Sequence, residues 1–251
     1  MPLFFCDLFY VVPVIPNNFL AGIIAVILFV ILSILSGKID VNGGIVGGII
    51  ALCLFLGGGF FQMGYLFLFF IAGSAASAFK IKEKQKVGLA EKNKGKRSYN
   101  NAIANAGISA LLGISCWFFP QYFDVLHLML AASFASASSD TFSSEFGNYF
   151  GKHYFNVITF NPDKRGLDGV VSLEGSLAGI MGSFLIACYF FCIDGNIRRC
   201  IIVILAGIAG NLCDSFLGAT LQRKGLLNND TVNFLNTLLA ALLAIGIYQM
   251  L

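Results

Sequence analysis

Long apolar segments are the feature that most restricts the folds open to this chain. A transmembrane helix needs about 20 predominantly apolar residues, and eight segments approach or reach that length. They are residues 19–36, 43–56, 60–79, 102–118, 125–146, 170–192, 200–221 and 232–251. Only 12% of the residues are charged, whereas soluble domains average about 25%. Because lipid-exposed backbone is satisfied in helices, the sequence predicts an all-α, polytopic membrane helix bundle.

The number of spans depends on segment 43–56, which is short and interrupted by glycines. We expect eight transmembrane helices, and seven are the alternative. The whole chain, 1–251, is expected to form a single integral membrane domain. The first fifteen residues are apolar, but they contain Asp7 and Pro13 and have no basic start or small-residue cleavage site. We therefore expect an interfacial segment there instead of a removable signal peptide.

The distribution of lysine and arginine predicts the orientation. Segment 80–97 holds eight of the 16 basic residues, and loops rich in these residues face the cytoplasm. The same arrangement places loops 37–42, 148–169 and 222–231 on the cytoplasmic side and both termini outside. We expect the lysines mainly to fix the topology and to attract anionic lipid headgroups. The alternative is that they draw in an anionic substrate.

Carboxylates inside the apolar segments predict a functional site. A charged group at membrane depth costs roughly 2.5–3.5 kcal/mol on insertion scales, so it is retained where it has a partner or a function. In the predicted topology, Asp140 and Asp214 lie about two turns from the cytoplasmic ends of their helices. Glu145 lies at such an end, and Glu174 lies at the start of the next span. We expect all four to line one cavity open to the cytosol.

Further polar residues fall on the same side of the predicted bundle. Arg97, Asn101 and Asn105 follow at i, i+4 and i+8, which is one face of a helix. The loop that leads to Ser172 carries two adjacent cations followed by two glycines, which let the backbone come close to a phosphate. A helix start there favours anions. These observations extend the candidate phosphate-binding set, which comprises Arg97, Asn101, Asn105, Ser144, Lys164, Arg165, Ser172, Ser215 and Gln222.

This combination of residues is typical of metal-assisted phosphate chemistry. Mg²⁺ is commonly held by one or two carboxylates together with substrate phosphates. Phosphoryl transfer depends mainly on positioning and on neutralisation of charge by metal ions, lysine and arginine. The chain contains no GxxxxGK[ST] motif, so P-loop chemistry is excluded.

Four motifs in order give the sequence a family resemblance. They are Arg97-x-x-x-Asn101-x-x-x-Asn105-x-Gly107, Ser139-Asp140-Thr141-x-x-Ser144-Glu145-x-Gly147, Gly169-x-x-Ser172-Leu173-x-Gly175-Ser176-Leu177-Ala178-Gly179 and Asp214-Ser215-x-x-Gly218-Ala219-Thr220-x-Gln222. Together they resemble the membrane family catalogued as domain of unknown function ninety-two, which includes the plant phytyl-phosphate kinase and the animal transmembrane protein nineteen. The resemblance covers residues 97–236, the expected catalytic core.

A weaker resemblance links the chain to CTP-dependent polyprenol kinases and CDP-diacylglycerol synthases. Segment 172–176 is similar to the KSxEGS segment of the polyprenol kinases, with Val171 in place of its lysine. Within the main family, Asn101 stands where glutamine is usual. These departures bear on the identity of the substrate more than on the class of reaction.

The resemblance implies a CTP-dependent kinase that converts phytyl or polyprenyl phosphate to the diphosphate at the cytosolic face. Asp140 and Asp214 are then implied to hold Mg²⁺, with Glu145 and Glu174 as further metal ligands or groups that position them. Ser144, Asn101 and Asn105 are implied to bind phosphate or metal-bound water. Lys164, Arg165 and Arg97 are implied to neutralise phosphate charge.

Two alternatives remain open on the sequence. One is a cytidylyltransferase that forms a CDP-lipid, and the other is a transporter or flippase for lipid phosphates or small anions. The partners expected for the kinase are a prenyl-phosphate lipid, a nucleoside triphosphate and the bilayer, without nucleic acid. A homo-oligomer is compatible with the sequence, which does not fix the oligomeric state.

Overall fold

A computed structural model describes residues 18–86, 88 and 96–250. They form a bundle of helices with one short antiparallel hairpin, so the expected all-helical membrane fold is confirmed. The helices are α1 (Phe19–Leu35), α2 (Val41–Ala78), α3 (Ile81–Lys86), α4 (Tyr99–Phe118), α5 (Phe123–Phe150), α6 (Leu173–Asp194), α7 (Ile197–Leu217) and α8 (Asn229–Met250), with strands β1 (Phe155–Asn156) and β2 (Val170–Val171). The interfacial segment expected at the start of the chain lies outside the described residues.

Helix α2 is folded back on itself at a pair of glycines. As a straight helix its 38 residues would extend for about 57 Å, nearly twice the apolar thickness of a bilayer. Gly59 has φ 62° and ψ −150°, a combination that essentially only glycine adopts. Gly43, near the start of α2, packs on the backbone of Ser98, and Gly73, near its end, packs on the Arg97 guanidinium. Both ends of α2 therefore lie at the same end of the bundle, and segments 43–56 and 60–79 form two separate arms.

Helix α5 is the central helix of the bundle. Among the described residues, five helices are long and apolar enough to cross a membrane, namely α2, α4, α6, α7 with its following turn, and α8, and α1 is a shorter apolar helix. Helix α5, expected to span the membrane at residues 125–146, is not among these five. Residues 130–139 of α5 are all buried. They are mostly alanine and serine, and Gly182 of α6 and Gly207 of α7 pack closely on Ser138 and Ala135. Small residues allow membrane helices to approach closely, so protein surrounds the middle of α5.

The loops that carry the predicted site meet at one end of the bundle. The Arg97 amide donates to the carbonyl of Lys38 (3.0 Å), which joins the α1–α2 loop to the start of α4. Gly169 packs against Gly218 at the end of α7. Asn101 of α4 lies 3.5 Å from Asp230 of α8. The grouping of these loops on one side agrees with the expected topology, and the assignment of that side to the cytoplasm remains a prediction from the lysine-rich segment.

Candidate functional site

A large polar cavity of about 820 Å³ opens at this end of the bundle. Helices α4, α5, α7 and α8 and the loop before α6 form its wall. Of the residues predicted from the sequence, the wall includes Arg97, Asn101, Asn105, Asp140, Ser144, Glu145, Asp214, Ser215 and Gln222. It also includes two aspartates that the sequence argument did not single out, Asp168 and Asp230.

Four of the predicted residues lie outside this wall. The Glu174 carboxylate, expected in the same cavity, instead accepts a hydrogen bond from the Lys152 amide at 3.4 Å. The Ser172 hydroxyl caps α6 by accepting from the Gly175 amide at 3.1 Å. Arg165 lies 5.9 Å from the ring of Tyr154, and Lys164 is exposed. Their predicted roles therefore have no support from the position of these side chains.

Asp214 is held by a chain of hydrogen bonds through the interior. The side-chain amide of Asn236 donates to Asp214 Oδ2 at 2.7 Å, and Asn236 Oδ1 accepts from the Ser136 hydroxyl at 3.0 Å. Asn236 is only 1% exposed. The Asn236 amide thus fixes the position of the Asp214 carboxyl group through Oδ2, and Oδ1 is left for another partner.

Asn236 was not predicted as a site residue, although a sequence signal for it exists. Asn229, Asn233 and Asn236 recur at i, i+4 and i+7, which places them on one face of α8. Asn229 and Asn233 line the cavity. A row of asparagines in an otherwise apolar helix was therefore the feature that could have identified this face.

Glu145 is paired with a lysine from the basic segment. Its carboxylate accepts a hydrogen bond from Lys84 Nζ, and Lys84 is only 1% exposed. The same ammonium group lies 3.3 Å from the Ala76 carbonyl and 3.2 Å from the Ser77 carbonyl at the end of α2. The lysines of segment 80–97 were expected to face lipid headgroups, and for Lys84 this expectation is wrong. Its ammonium group is instead the positive partner of Glu145, so Glu145 has a cation beside it without a metal ion.

Of the three residues predicted to share one helical face, Asn101 and Asn105 lie in α4, whereas Arg97 precedes the helix and pairs with Ile39 in a β-bridge. All three nevertheless line the cavity, and each has a structural contact. Arg97 is 9% exposed, and its guanidinium carbon lies 4.9 Å from the centre of the Phe69 ring. Asn101 Oδ1 accepts from the amide (3.1 Å) and hydroxyl (3.0 Å) of Ser98 and so caps the helix. Asn105 donates to the Asn101 carbonyl at 3.0 Å. These contacts hold the three side chains at the cavity wall.

The loop before α6 is fixed by contacts with the turn that follows α7. Gly169 has φ 69°, and a side chain there would collide with Ala219. Arg223 Nε donates to the Asp168 carbonyl at 2.6 Å, and its Nη2 donates to Asp163 Oδ2 at 2.8 Å. This hydrogen bond lowers the pKa of Asp163 below its usual value. Gly218–Gln222 forms a π-helical turn, a feature often found at functional sites. The contacts bring Asp168 into the wall.

The wall offers carboxylates without forming a ready-made metal cage. Within residues 18–86, 88 and 96–250, no three His, Cys, Asp or Glu side chains are grouped closely enough to hold a metal ion. Four aspartates nevertheless line the cavity, contributed by α5, α7, α8 and the loop before α6. Since Mg²⁺ commonly takes only one or two carboxylates and completes its shell with phosphates and water, this donor set fits an ion that arrives with a polyphosphate.

Comparison with known proteins assigns the chain to a family. A family model described as "Integral membrane protein DUF92" matches residues 24–241. The chain belongs to the DUF92 family. This confirms the resemblance drawn from the four motifs, all of which lie inside the matched range. No solved structure matches the chain significantly.

Three similar proteins come from an archaeon, a cyanobacterium and a plant. The uncharacterized membrane protein MJ0933 of Methanocaldococcus jannaschii is 35% identical over 208 residues, which cover 82% of this chain and 85% of that protein. The uncharacterized membrane protein sll0875 of Synechocystis is 40% identical over 190 residues, 73% of each chain. Protein VTE6, chloroplastic, of Arabidopsis thaliana is 35% identical over 189 residues, 72% of this chain and 56% of that protein.

Proposed function

We propose that this DUF92 protein is a kinase that transfers the terminal phosphoryl group of a nucleoside triphosphate to a prenyl monophosphate. The observation that carries the proposal is the large polar cavity at one end of the membrane helices, which is lined by four aspartates and by Lys96 and Arg97. Its volume of about 820 Å³ lies within the range of small-molecule sites. The family resemblance supplies the reaction class, and the resemblance to polyprenol kinases favours CTP as the donor.

The reaction makes modest chemical demands on the protein. An oxygen of the prenyl phosphate attacks the terminal phosphorus of the nucleotide, the bond from that phosphorus to the bridging oxygen breaks, and the products are prenyl diphosphate and nucleoside diphosphate. The attacking phosphate is already ionised, so no strong general base is needed. Catalysis of this kind consists of positioning and neutralisation of charge.

In this proposal, the residues of the cavity wall bind the metal ion and the phosphate groups. Asp140 and Asp214 would hold the Mg²⁺ of the nucleotide, and the bound ion would neutralise charge on the phosphates. Arg97 neutralises the acceptor phosphate, and the second amide hydrogen of Asn105 is donated to a phosphate oxygen. Ser144 donates to phosphate by turning its hydroxyl from the Thr141 carbonyl, which accepts it at 3.2 Å in the structure. Glu145, paired with Lys84, anchors α3 instead of binding metal.

The proposal is tested with the purified protein in detergent, Mg²⁺, phytyl or farnesyl phosphate, and either CTP or ATP. We expect prenyl diphosphate and nucleoside diphosphate, identified by mass spectrometry. A CDP-lipid with release of pyrophosphate would overturn the kinase in favour of a cytidylyltransferase using the same cavity. Absence of product with every prenyl phosphate would overturn both enzymes, and transport assays in liposomes would then test the transporter.

Substitution of Asn236 by alanine is expected to lower the rate of this reaction by about 10- to 100-fold, as is typical when a group that orients a metal-binding side chain is lost. The change removes the donor to Asp214 and the side-chain acceptor of the Ser136 hydroxyl, which keeps only its longer hydrogen bond to the backbone carbonyl of residue 236. Initial rates are compared with those of Gln249→Ala, which alters an exposed amide near the other end of α8. Equal rates for the two variants would show that Asn236 does not position Asp214.

A further inference from the structure

A narrow apolar crevice lies beside the polar cavity, between α1, the two arms of α2 and α4. It has a volume of about 40 Å³, several times the 10–15 Å³ that one water occupies by a comparable measure. Its wall is almost entirely carbon and includes Phe29, Ile50, Leu66 and Ala106. A cavity of this character stays dry and binds hydrocarbon.

The crevice begins at the edge of the polar cavity. Arg97 and Asn101 belong to the walls of both spaces. The Arg97 guanidinium lies over the ring of Phe69 at 4.9 Å, and Phe69 is itself part of the crevice wall. The Arg97 guanidinium therefore lies at the boundary between the polar cavity and the apolar crevice.

The crevice runs from that junction towards the middle of the bundle. Gly43 and Gly73 mark the level of the junction, because they pack on Ser98 and on the Arg97 guanidinium respectively. Ile50 and Leu66 lie two helical turns further along the two arms of α2, which is about 10 Å deeper. The crevice is therefore lined by both arms of α2 over about 10 Å from the junction. An elongated shape of this kind suits an extended hydrocarbon chain.

Glycines on α2 create the space. Gly44 and Gly47 line the crevice, and a Cβ at Gly47 would meet nothing closer than Ile39 Cδ1 at 4.0 Å. A larger side chain at this position would extend into open space without displacing backbone. Gly47 is therefore the position at which the crevice is most easily filled.

We propose that this crevice holds the hydrocarbon chain of a single-chain lipid phosphate, whose phosphate group lies at Arg97 in the polar cavity. The assignment deepens the proposed function, because it specifies where the acceptor binds, but chain binding does not itself require turnover. The crevice admits one chain. Lipids with two acyl chains are consequently expected to be poor ligands.

The test uses farnesyl phosphate carrying a photoactivatable diazirine on the chain, with labelled peptides identified by mass spectrometry. In the wild-type protein in detergent, we expect labels on residues 29–33, 44–50 or 66–70. Substitution Gly47→Leu is expected to weaken binding of farnesyl phosphate at least about tenfold, the order of effect that a methylene produces in an apolar pocket. Binding of isopentenyl phosphate, whose chain is short, should change little. Gly246→Leu is the matched control, because a Cβ at Gly246 meets nothing within 4 Å.

The outcomes separate this inference from the proposed function. Labels confined to the outer faces of α6 and α7, or unchanged farnesyl phosphate affinity in a folded Gly47→Leu variant, would overturn the crevice as the chain site. Should that variant fail to fold, the wild-type labelling pattern decides alone. Labels in the crevice without any diphosphate product would overturn the kinase and leave the lipid site standing. Formation of the diphosphate with labels only outside the crevice would support the kinase and overturn the crevice as the chain site.

Discussion

Substitution Asp214→Asn is expected to lower kcat by at least about 100-fold while the protein stays folded. The change removes one negative charge from the cavity but keeps the shape of the side chain, and its remaining oxygen can still accept from Asn236. Loss of one charge-stabilising group at a reaction centre typically costs about 100- to 1,000-fold. Initial rates of prenyl diphosphate formation measure the effect, and we expect Asp140→Asn to behave in the same way.

The matched control for this substitution is Asp124→Asn. The Asp124 side chain is 72% exposed and lies in the first turn of α5, at the opposite end of that helix from Glu145. Its rate should stay within about twofold of the wild type, since the long, exposed ion pair that Asp124 forms with Arg199 (3.8 Å) contributes little. Equal losses in the Asp214 and Asp124 variants, or full activity of Asp214→Asn, would contradict the role given to the cavity.

Substitution Lys84→Met is expected to destabilise the protein by about 3–5 kcal/mol, because removal of one partner of a buried ion pair leaves the other charge uncompensated. Here the abandoned group is Glu145, which is itself buried. The double substitution Lys84→Met with Glu145→Gln should recover most of the lost free energy of unfolding. Denaturant-induced unfolding in detergent, followed by fluorescence of the single tryptophan, Trp117, measures all three proteins.

Lys82→Met provides the control on the same short helix, because Lys82 is exposed. Equal free energies of unfolding for Lys84→Met and Lys82→Met would show that the buried ion pair does not stabilise the protein. Lys84 would then be grouped with the lysines that face lipid headgroups. The double variant also tests Glu145. Turnover near the wild-type rate would support its role as an anchor, whereas a loss comparable to that of Asp214→Asn would restore it as a metal ligand.

The broad architecture followed from the sequence because a bilayer imposes a strict length and polarity on each span. The break between segments 43–56 and 60–79 was visible as a run of glycines, and Gly59 does adopt a backbone conformation reserved for glycine. The convergence of Asp140 and Asp214 followed from counting spans, because each lies at the same depth from the same side. These predictions needed only local pattern and chain order.

Other features depend on contacts between distant parts of the chain. No local rule distinguishes Lys84 from the exposed lysines beside it, since its burial results from its contacts with Glu145 of α5 and with the carbonyls of Ala76 and Ser77 at the end of α2. The loop before α6 offered Lys164 and Arg165 as obvious cations, but the pairing of β1 with β2 and the Gly169–Ala219 contact bring Asp168 to the cavity instead. The role of Asn236 depends on its hydrogen bonds to Asp214 of α7 and Ser136 of α5, which chain order alone does not reveal.

The fate of the terminal phosphate of the nucleotide distinguishes phosphoryl transfer to a prenyl phosphate from the alternative reactions. Purified protein is incubated with Mg²⁺, farnesyl or phytyl phosphate and CTP labelled at the terminal phosphate, and the lipids are separated by chromatography. We expect label in the prenyl diphosphate for the wild type and for Asp124→Asn, with at most about 1% of that rate for Asp214→Asn. Label released as pyrophosphate while cytidine joins the lipid, or no label in any lipid, would contradict this expectation.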